Sequence, residues 1–194
     1  MAKMFLVLIC SLIVYGALLI SYISIHNKIG FRILVSKCLP ALLIAITTAS
    51  SAATFGTNIL ISEKKLGIEN SIVSFCVPLG MVMFKPATAL SFTAIALFLS
   101  EIYAVEISFG WIIMLVFTVS ILAVATPPIP GGGMTAYVVL FLQMGIPAEA
   151  VAIALACDAI VDFIVTGLDQ FMLSMTLMDS VSKLGLVDRN KLEK

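Results

Sequence analysis

Between Glu106 and Glu149 the chain carries no charged residue, yet the middle of that stretch reads Ala125-Thr126-Pro127-Pro128-Ile129-Pro130-Gly131-Gly132-Gly133. One bilayer crossing takes about 20 apolar residues, so a charge-free run of roughly twice that length crosses twice or enters and turns back. Its centre cannot lie bare in lipid. Proline lacks a backbone donor and glycine loosens a helix, and at membrane depth the freed carbonyls and amides find partners only inside protein or against a water-lined cavity. A binding site is expected there.

The rest of the chain sets the class. With 61% hydrophobic and 11% charged residues over 194 positions, it is too apolar for a soluble domain and reads as an all-α polytopic membrane protein. A formal net charge of zero gives no electrostatic case for nucleic acid. Cys10, Cys38, Cys76 and Cys157 have neither metal-ligand nor redox spacing and read as small buried hydrophobes, so neither a metal site nor a resident cofactor is expected. The run Met4 to Ile25 is long enough to span and lacks a small-residue cleavage site, so it reads as a retained helix rather than a signal peptide.

Five membrane elements make up residues 1–178, followed by a polar, surface-bound tail at 179–194. They are a helix (4–25), a hairpin (38–62), a broken helix (71–100), a second hairpin (107–146) and a last helix (150–178). The first hairpin carries the polar cluster Thr47 to Asn58 at its centre, which a plain lipid-facing span does not concentrate at mid-depth. Phe84-Lys85-Pro86-Ala87-Thr88 breaks the middle element. Lys28, Arg32, Lys37, Lys64, Lys65, Lys183, Arg189, Lys191 and Lys194 share one side if both hairpins return to their own side, which makes that side and the C-terminus cytoplasmic. The hairpins then enter from opposite faces, an arrangement that implies alternating access. The location is the cell (inner or plasma) membrane.

Chemistry concentrates on the last helix. Asp158, Asp162, Thr166 and Asp169 fall on one narrow face at about 100° per residue. Each ionised residue near the bilayer centre costs roughly 2.5–3.5 kcal/mol on insertion scales, so three carboxylates are expected to face protein, solute or water. The blander reading makes them structural hydrogen bonders, with Asp158 near the headgroups. Lys85 is the other intramembrane charge; its expected partner is Asp169 first and Asp162 second, with snorkelling to the interface as the alternative. His26 is read as a loop residue.

At these motifs the chain resembles the dicarboxylate/amino acid:cation symporters, the glutamate/aspartate transporter homologues, over the C-terminal transport-core half. The matching stretches are Leu66-Gly67-Ile68 through Ser74-Phe75-Cys76-Val77-Pro78-Leu79-Gly80, Thr126 with Pro130-Gly131-Gly132-Gly133, and Asp158-Ala159-Ile160-Val161-Asp162. The resemblance implies that Ser50, Ser51 and Thr54 at the first tip and Pro130, Gly131, Gly132 and Gly133 at the second close over a small polar solute. Asp162 is then expected to receive an amino group, with Thr166 beside it, and Lys85, Thr88, Thr126, Asp158 and Asp169 form the coupling and ion-pair set.

The departures bear on coupling. The family's Asn-Met-Asp-Gly-Thr is Phe84-Lys85-Pro86-Ala87-Thr88 here, its side-chain-reading arginine is Val165, a sodium-linked asparagine is Asp169 and a sodium-linked aspartate is Leu173. The usual sodium ligands are partly missing, which leaves Na+ or H+ coupling open and suggests that the Lys85 ammonium stands where a coupling cation would. Loss of the arginine brings a neutral amino acid level with a dicarboxylate as solute. The resemblance further implies a missing N-terminal scaffold half, a homotrimer and elevator-type movement with the glycine hairpin as outer gate. The resulting expectation is a symporter-like secondary transporter working as part of a larger or split carrier. The alternative is a non-transporting membrane subunit derived from one; an intramembrane hydrolase using paired aspartates is a distant third, and the protein is not read as an enzyme.

Overall fold

The structure, a computed structural model, describes residues 1–192, so Lys194 of the basic set lies outside the described residues. It is helical throughout: α1 (Ala2–Asn27), α2 (Phe31–Thr48), α3 (Phe55–Leu60), α4 (Asn70–Met83), α5 (Pro86–Ile102), α6 (Phe109–Ala125), α7 (Met134–Met144), α8 (Ala150–Ser182) and the short α9 (Arg189–Leu192). A 3-10 turn, Ala52–Thr54, leads into α3, and a π-type turn, Ile61–Lys65, extends it. Four stretches are long and apolar enough to cross a membrane: α1, α2, Asn70–Ile102 taken across its break, and α8. The protein is an all-α polytopic membrane protein.

Helix α8 is the axis. Its 33 residues span about 50 Å at 1.5 Å per residue, more than the hydrocarbon thickness. One core gathers α2, α4 and the end of α1 around Phe171, Met172, Met175 and Met178 in its C-terminal half. A second joins α5, α6 and α7 to Ala150, Ala154 and Cys157 in its N-terminal half. Between them a small cluster of Leu8, Leu12, Ala87, Val161 and Val165 ties α1 and α5 to the centre of α8. Burying Leu34, Cys38, Ala41 and Ala45 at three- and four-residue spacing lets α2 lie close against α8. At their crossing a Cβ on Gly167 would stand 2.6 Å from Ile46 Cγ1.

The local breaks have ordinary causes. Lys28 and Ala49 take left-handed conformations that end α1 and α2. At the break between α4 and α5, Pro86 occupies the first helical position, where no backbone donor is needed. Ser108 Oγ accepts from Trp111 N at 3.2 Å and starts α6.

Several element bounds differ from the sequence reading. The first arm of the first hairpin begins at Phe31 rather than 38, taking Arg32 and Lys37 into a helix, because the apolar face of α2 continues through Leu34. Helix α8 runs on to Ser182, so the tail is shorter than 179–194, and Leu192 is buried. The remainder is tied down: Asp188 N donates to Gly67 O at 2.8 Å and Glu69 N to Leu186 O at 3.1 Å. His26 is not in a loop but in the last turn of α1, 2.6 Å from Asp179, which Asn27 also contacts. Of the cysteines only Cys38 and Cys157 are buried; Cys10 is exposed and Cys76 partly covered, each on a helix surface. Lys37 Nζ bridges the carbonyls of Lys65 and Lys191, bringing three basic segments to one end of the molecule.

Candidate functional site

The two hairpin tips meet. One carbonyl makes most of the contact: Pro128 O accepts from Ala52 N at 3.1 Å and from Ser50 Oγ at 3.3 Å. The proline run supplies it because carbonyls there have no helix to join. The tip then folds back on itself, and a Cβ on Gly132 would stand 2.5 Å from Pro127 O and 3.1 Å from Ile129 O, so this turn takes glycine.

Beneath the joined tips lies a cleft whose walls include Ser51, Lys85, Thr88, Thr126, Gly132, Gly133, Asp158, Asp162, Val165 and Thr166. Its free volume is about 20 Å³, room for about one water and too little for an amino acid. A solute of that size enters only if the cleft widens.

The acidic stripe of α8 divides into three different roles. Asp158 accepts from Tyr137 Oη at 2.7 Å and lies against Gly133, where a Cβ would come within 3.3 Å of Asp158 Oδ2, so it holds the second hairpin to α8. Half-buried Asp162 accepts from Thr166 Oγ1 at 3.0 Å and faces the cleft with acceptor capacity to spare. Asp169 is fully buried outside the cleft wall, its Oδ1 accepting from Ala87 N at 2.8 Å and its Oδ2 from Thr88 N at 3.3 Å and Thr88 Oγ1 at 2.7 Å. Helix α5 has no side-chain cap of its own, so a carboxylate seven residues beyond Asp162 serves as its cap and answers its positive end.

Lys85 corrects an expectation. Only 6% exposed, it does not snorkel, and its Nζ donates at 2.8 Å to Ser51 Oγ rather than to a carboxylate. Among the described residues the ion pairs within 4.0 Å are His26–Asp179 and Lys191–Asp188. Lys85 does not pair directly with Asp169, whose two oxygens serve the start of α5.

Other expected site residues also separate. Ser51, but not Ser50 or Thr54, reaches the cleft wall; Ser50 bonds the opposite tip and Thr54 turns toward α8. Pro130 and Gly131 are exposed at the tip, with the Gly131 backbone amide turned toward Asp162. Sequence reasoning passed over a buried polar ladder. Thr54 Oγ1, whose shorter bond of 2.7 Å goes to Ser51 O, lies 3.1 Å from Gln170 Oε1, to which Asn58 Nδ2 donates at 3.1 Å, and Ser174 Oγ donates to Asn58 Oδ1 at 3.2 Å and accepts from Ser62 Oγ at 3.0 Å. The signal was present as four-residue spacing in Thr54, Asn58 and Ser62 facing Gln170 and Ser174. Tyr137 was missed because an isolated tyrosine in an apolar helix has no periodic signature.

The sequence profile of the sodium:dicarboxylate symporter family matches residues 1–176. Similar proteins include human excitatory amino acid transporter 5, 28% identical over 158 residues, covering 79% of this chain and 28% of the human protein. Mouse excitatory amino acid transporter 3 is 26% identical over 168 residues, 87% of this chain and 31% of its own length. An excitatory amino acid transporter of Caenorhabditis elegans is 27% identical over 125 residues, 64% of this chain and 25% of its own. The chain thus spans between a quarter and a third of the length of these relatives.

Proposed function

The chain belongs to the sodium:dicarboxylate symporter family, and from that premise we propose that it forms the solute-binding part of a secondary transporter for a small amino acid or dicarboxylate. The observation that carries this reading is the pair of hairpin tips joined at Pro128 over a cleft floored by Asp162. A carboxylate with spare acceptors, at the foot of a closable cleft, suits a solute amine. Val165 stands in the same wall and offers no charge to an acidic side chain, and the Lys85 ammonium there is held by Ser51, which favours an amino acid with an uncharged side chain over aspartate or glutamate. The start of α7 beside Gly133 stands in the cleft wall, and a helix N-terminus suits a solute carboxylate.

Transport in this reading alternates access by opening the hairpins in turn, with elevator-type movement of this unit past a scaffold supplied by a further, N-terminal part and assembly as a homotrimer. The basic end around Lys37, Lys65 and Lys191 faces the cytoplasm, and the unit sits in the cell membrane as a multi-pass protein. The relatives it matches are transporters, which supports reading the chain as a carrier.

The experiment is ligand-induced thermal stabilisation of the purified chain with L-alanine, L-serine, L-aspartate and L-malate, alongside Asp162→Asn. Stabilisation by a neutral amino acid, lost in Asp162→Asn, is expected. A chain that no amino acid or dicarboxylate stabilises fits the alternative of a non-transporting subunit and overturns the transport reading.

A further inference from the structure

We infer that the Lys85 ammonium is a built-in cation replacing the coupling sodium of this site, so that the cleft closes without sodium. The inference rests on the transport reading above and concerns how that site is held together. Sodium enters through the family to which the chain belongs, and the residues present can be tested against it. A hard cation takes a shell of several oxygens. Around the break between α4 and α5, the side-chain oxygens of Ser51 and Asp169 already accept hydrogen bonds, and Thr88 gives its hydroxyl proton to Asp169. Ser51 Oγ accepts from Lys85 Nζ at 2.8 Å, while Asp169 spends one oxygen on Ala87 N at 2.8 Å and the other on Thr88.

The ammonium cannot easily withdraw. Lys85 is 6% exposed and stands at the N-terminal boundary of α5, with its own carbonyl accepting from Ala89 N at 3.0 Å. A sodium ion bound among these oxygens would meet a fixed like charge in a water-poor site. With the Lys85 ammonium in place, the site does not fit sodium. The residues fit a lysine doing the structural part of its work: its bond to Ser51 ties the first hairpin tip to the helix break, with Asp162 in the same cleft wall. An ion shared by those two elements would make the same tie.

The test uses the full chain purified in detergent, without solute, and follows its unfolding midpoint in choline chloride, sodium chloride and methylammonium chloride at equal ionic strength. The wild-type midpoint is expected to be the same in all three. Lys85→Ala is expected to unfold several degrees lower in choline and to recover part of that loss in methylammonium, which restores an ammonium to the gap, while Lys85→Arg keeps the wild-type indifference to cation. A wild-type midpoint that rises by several degrees in sodium alone overturns the inference, as does a Lys85→Ala protein that methylammonium leaves unchanged. Should Lys85→Ala fail to fold, Ser51→Ala decides, since it keeps the ammonium and is expected to stay indifferent to sodium; a sodium response there overturns the inference. The cation series contains no solute and the solute series holds the cation constant, so failure of either reading is seen separately.

Discussion

Replacing Asp169 tests whether helix α5 depends on a cap from α8. Asp169→Ala leaves the backbone donors of Ala87 and Thr88 unpaired at positions that are 0% and 8% exposed. A buried orphan donor costs about 1–3 kcal/mol, so the pair costs roughly 2–6 kcal/mol. For a chain of this length each kcal/mol lowers the unfolding midpoint by about 2–4 °C, so a fall on the order of 10 °C is expected. Asp169→Asn keeps one oxygen for Ala87 N and places an amide opposite Thr88 N, so about half that loss is expected. Thr88→Val removes only the hydroxyl bond of 2.7 Å and should cost about 1.5–3 kcal/mol, the usual range for a hydrogen bond to a charged group. The assay is thermal unfolding in detergent by near-ultraviolet circular dichroism. Equal losses for Asp169→Asn and Asp169→Ala would show that charge rather than capping matters and would refute the reasoning, as would an Asp169→Ala protein as stable as wild type.

Three further experiments probe the hairpins. Tyr137→Phe removes the 2.7 Å bond to Asp158; about 1.5–3 kcal/mol is expected to be lost, seen as faster hydrogen exchange in 126–137, and unchanged exchange there would remove Asp158 from its role in holding the second hairpin. In Gly132→Ala the new methyl meets Pro127 O, a backbone atom at 2.5 Å, and an overpacking cost of about 1–3 kcal/mol is expected to part the tips; a disulfide-trapping pair at positions 52 and 128 should then form more slowly than in the parent. A double-mutant cycle of Asn58→Ala and Gln170→Ala should give a coupling near 0.6 and below about 1.7 kcal/mol, the range for interhelical hydrogen bonds in membranes. Strict additivity would mean that their contact of 3.1 Å contributes nothing.

Much of this architecture is legible in the chain because the bilayer constrains it so strongly. Long apolar runs must become helices, and prolines and glycines inside them must be sheltered by protein, so the break at Phe84-Lys85-Pro86 and the tip at Thr126 to Gly133 announce themselves. The shared face of Asp158, Asp162 and Thr166 follows from helical period alone, while singling out Asp162 rests on the family resemblance. What period cannot supply is the partner on another helix. Asp169 shares that face yet leaves the cleft, because α5 begins beside it and α5 has no cap of its own. Lys85 looks like the mate of a carboxylate, but the carboxylate is spent on backbone donors and the ammonium meets Ser51 instead. The ladder from Thr54 to Ser174 and the latch of Tyr137 on Asp158 exist only where α3 and α7 pack on α8. Hydrophobicity and backbone satisfaction, which act along one chain segment at a time, are determined by the sequence itself; the pairing of buried polar groups is decided only when the helices come together.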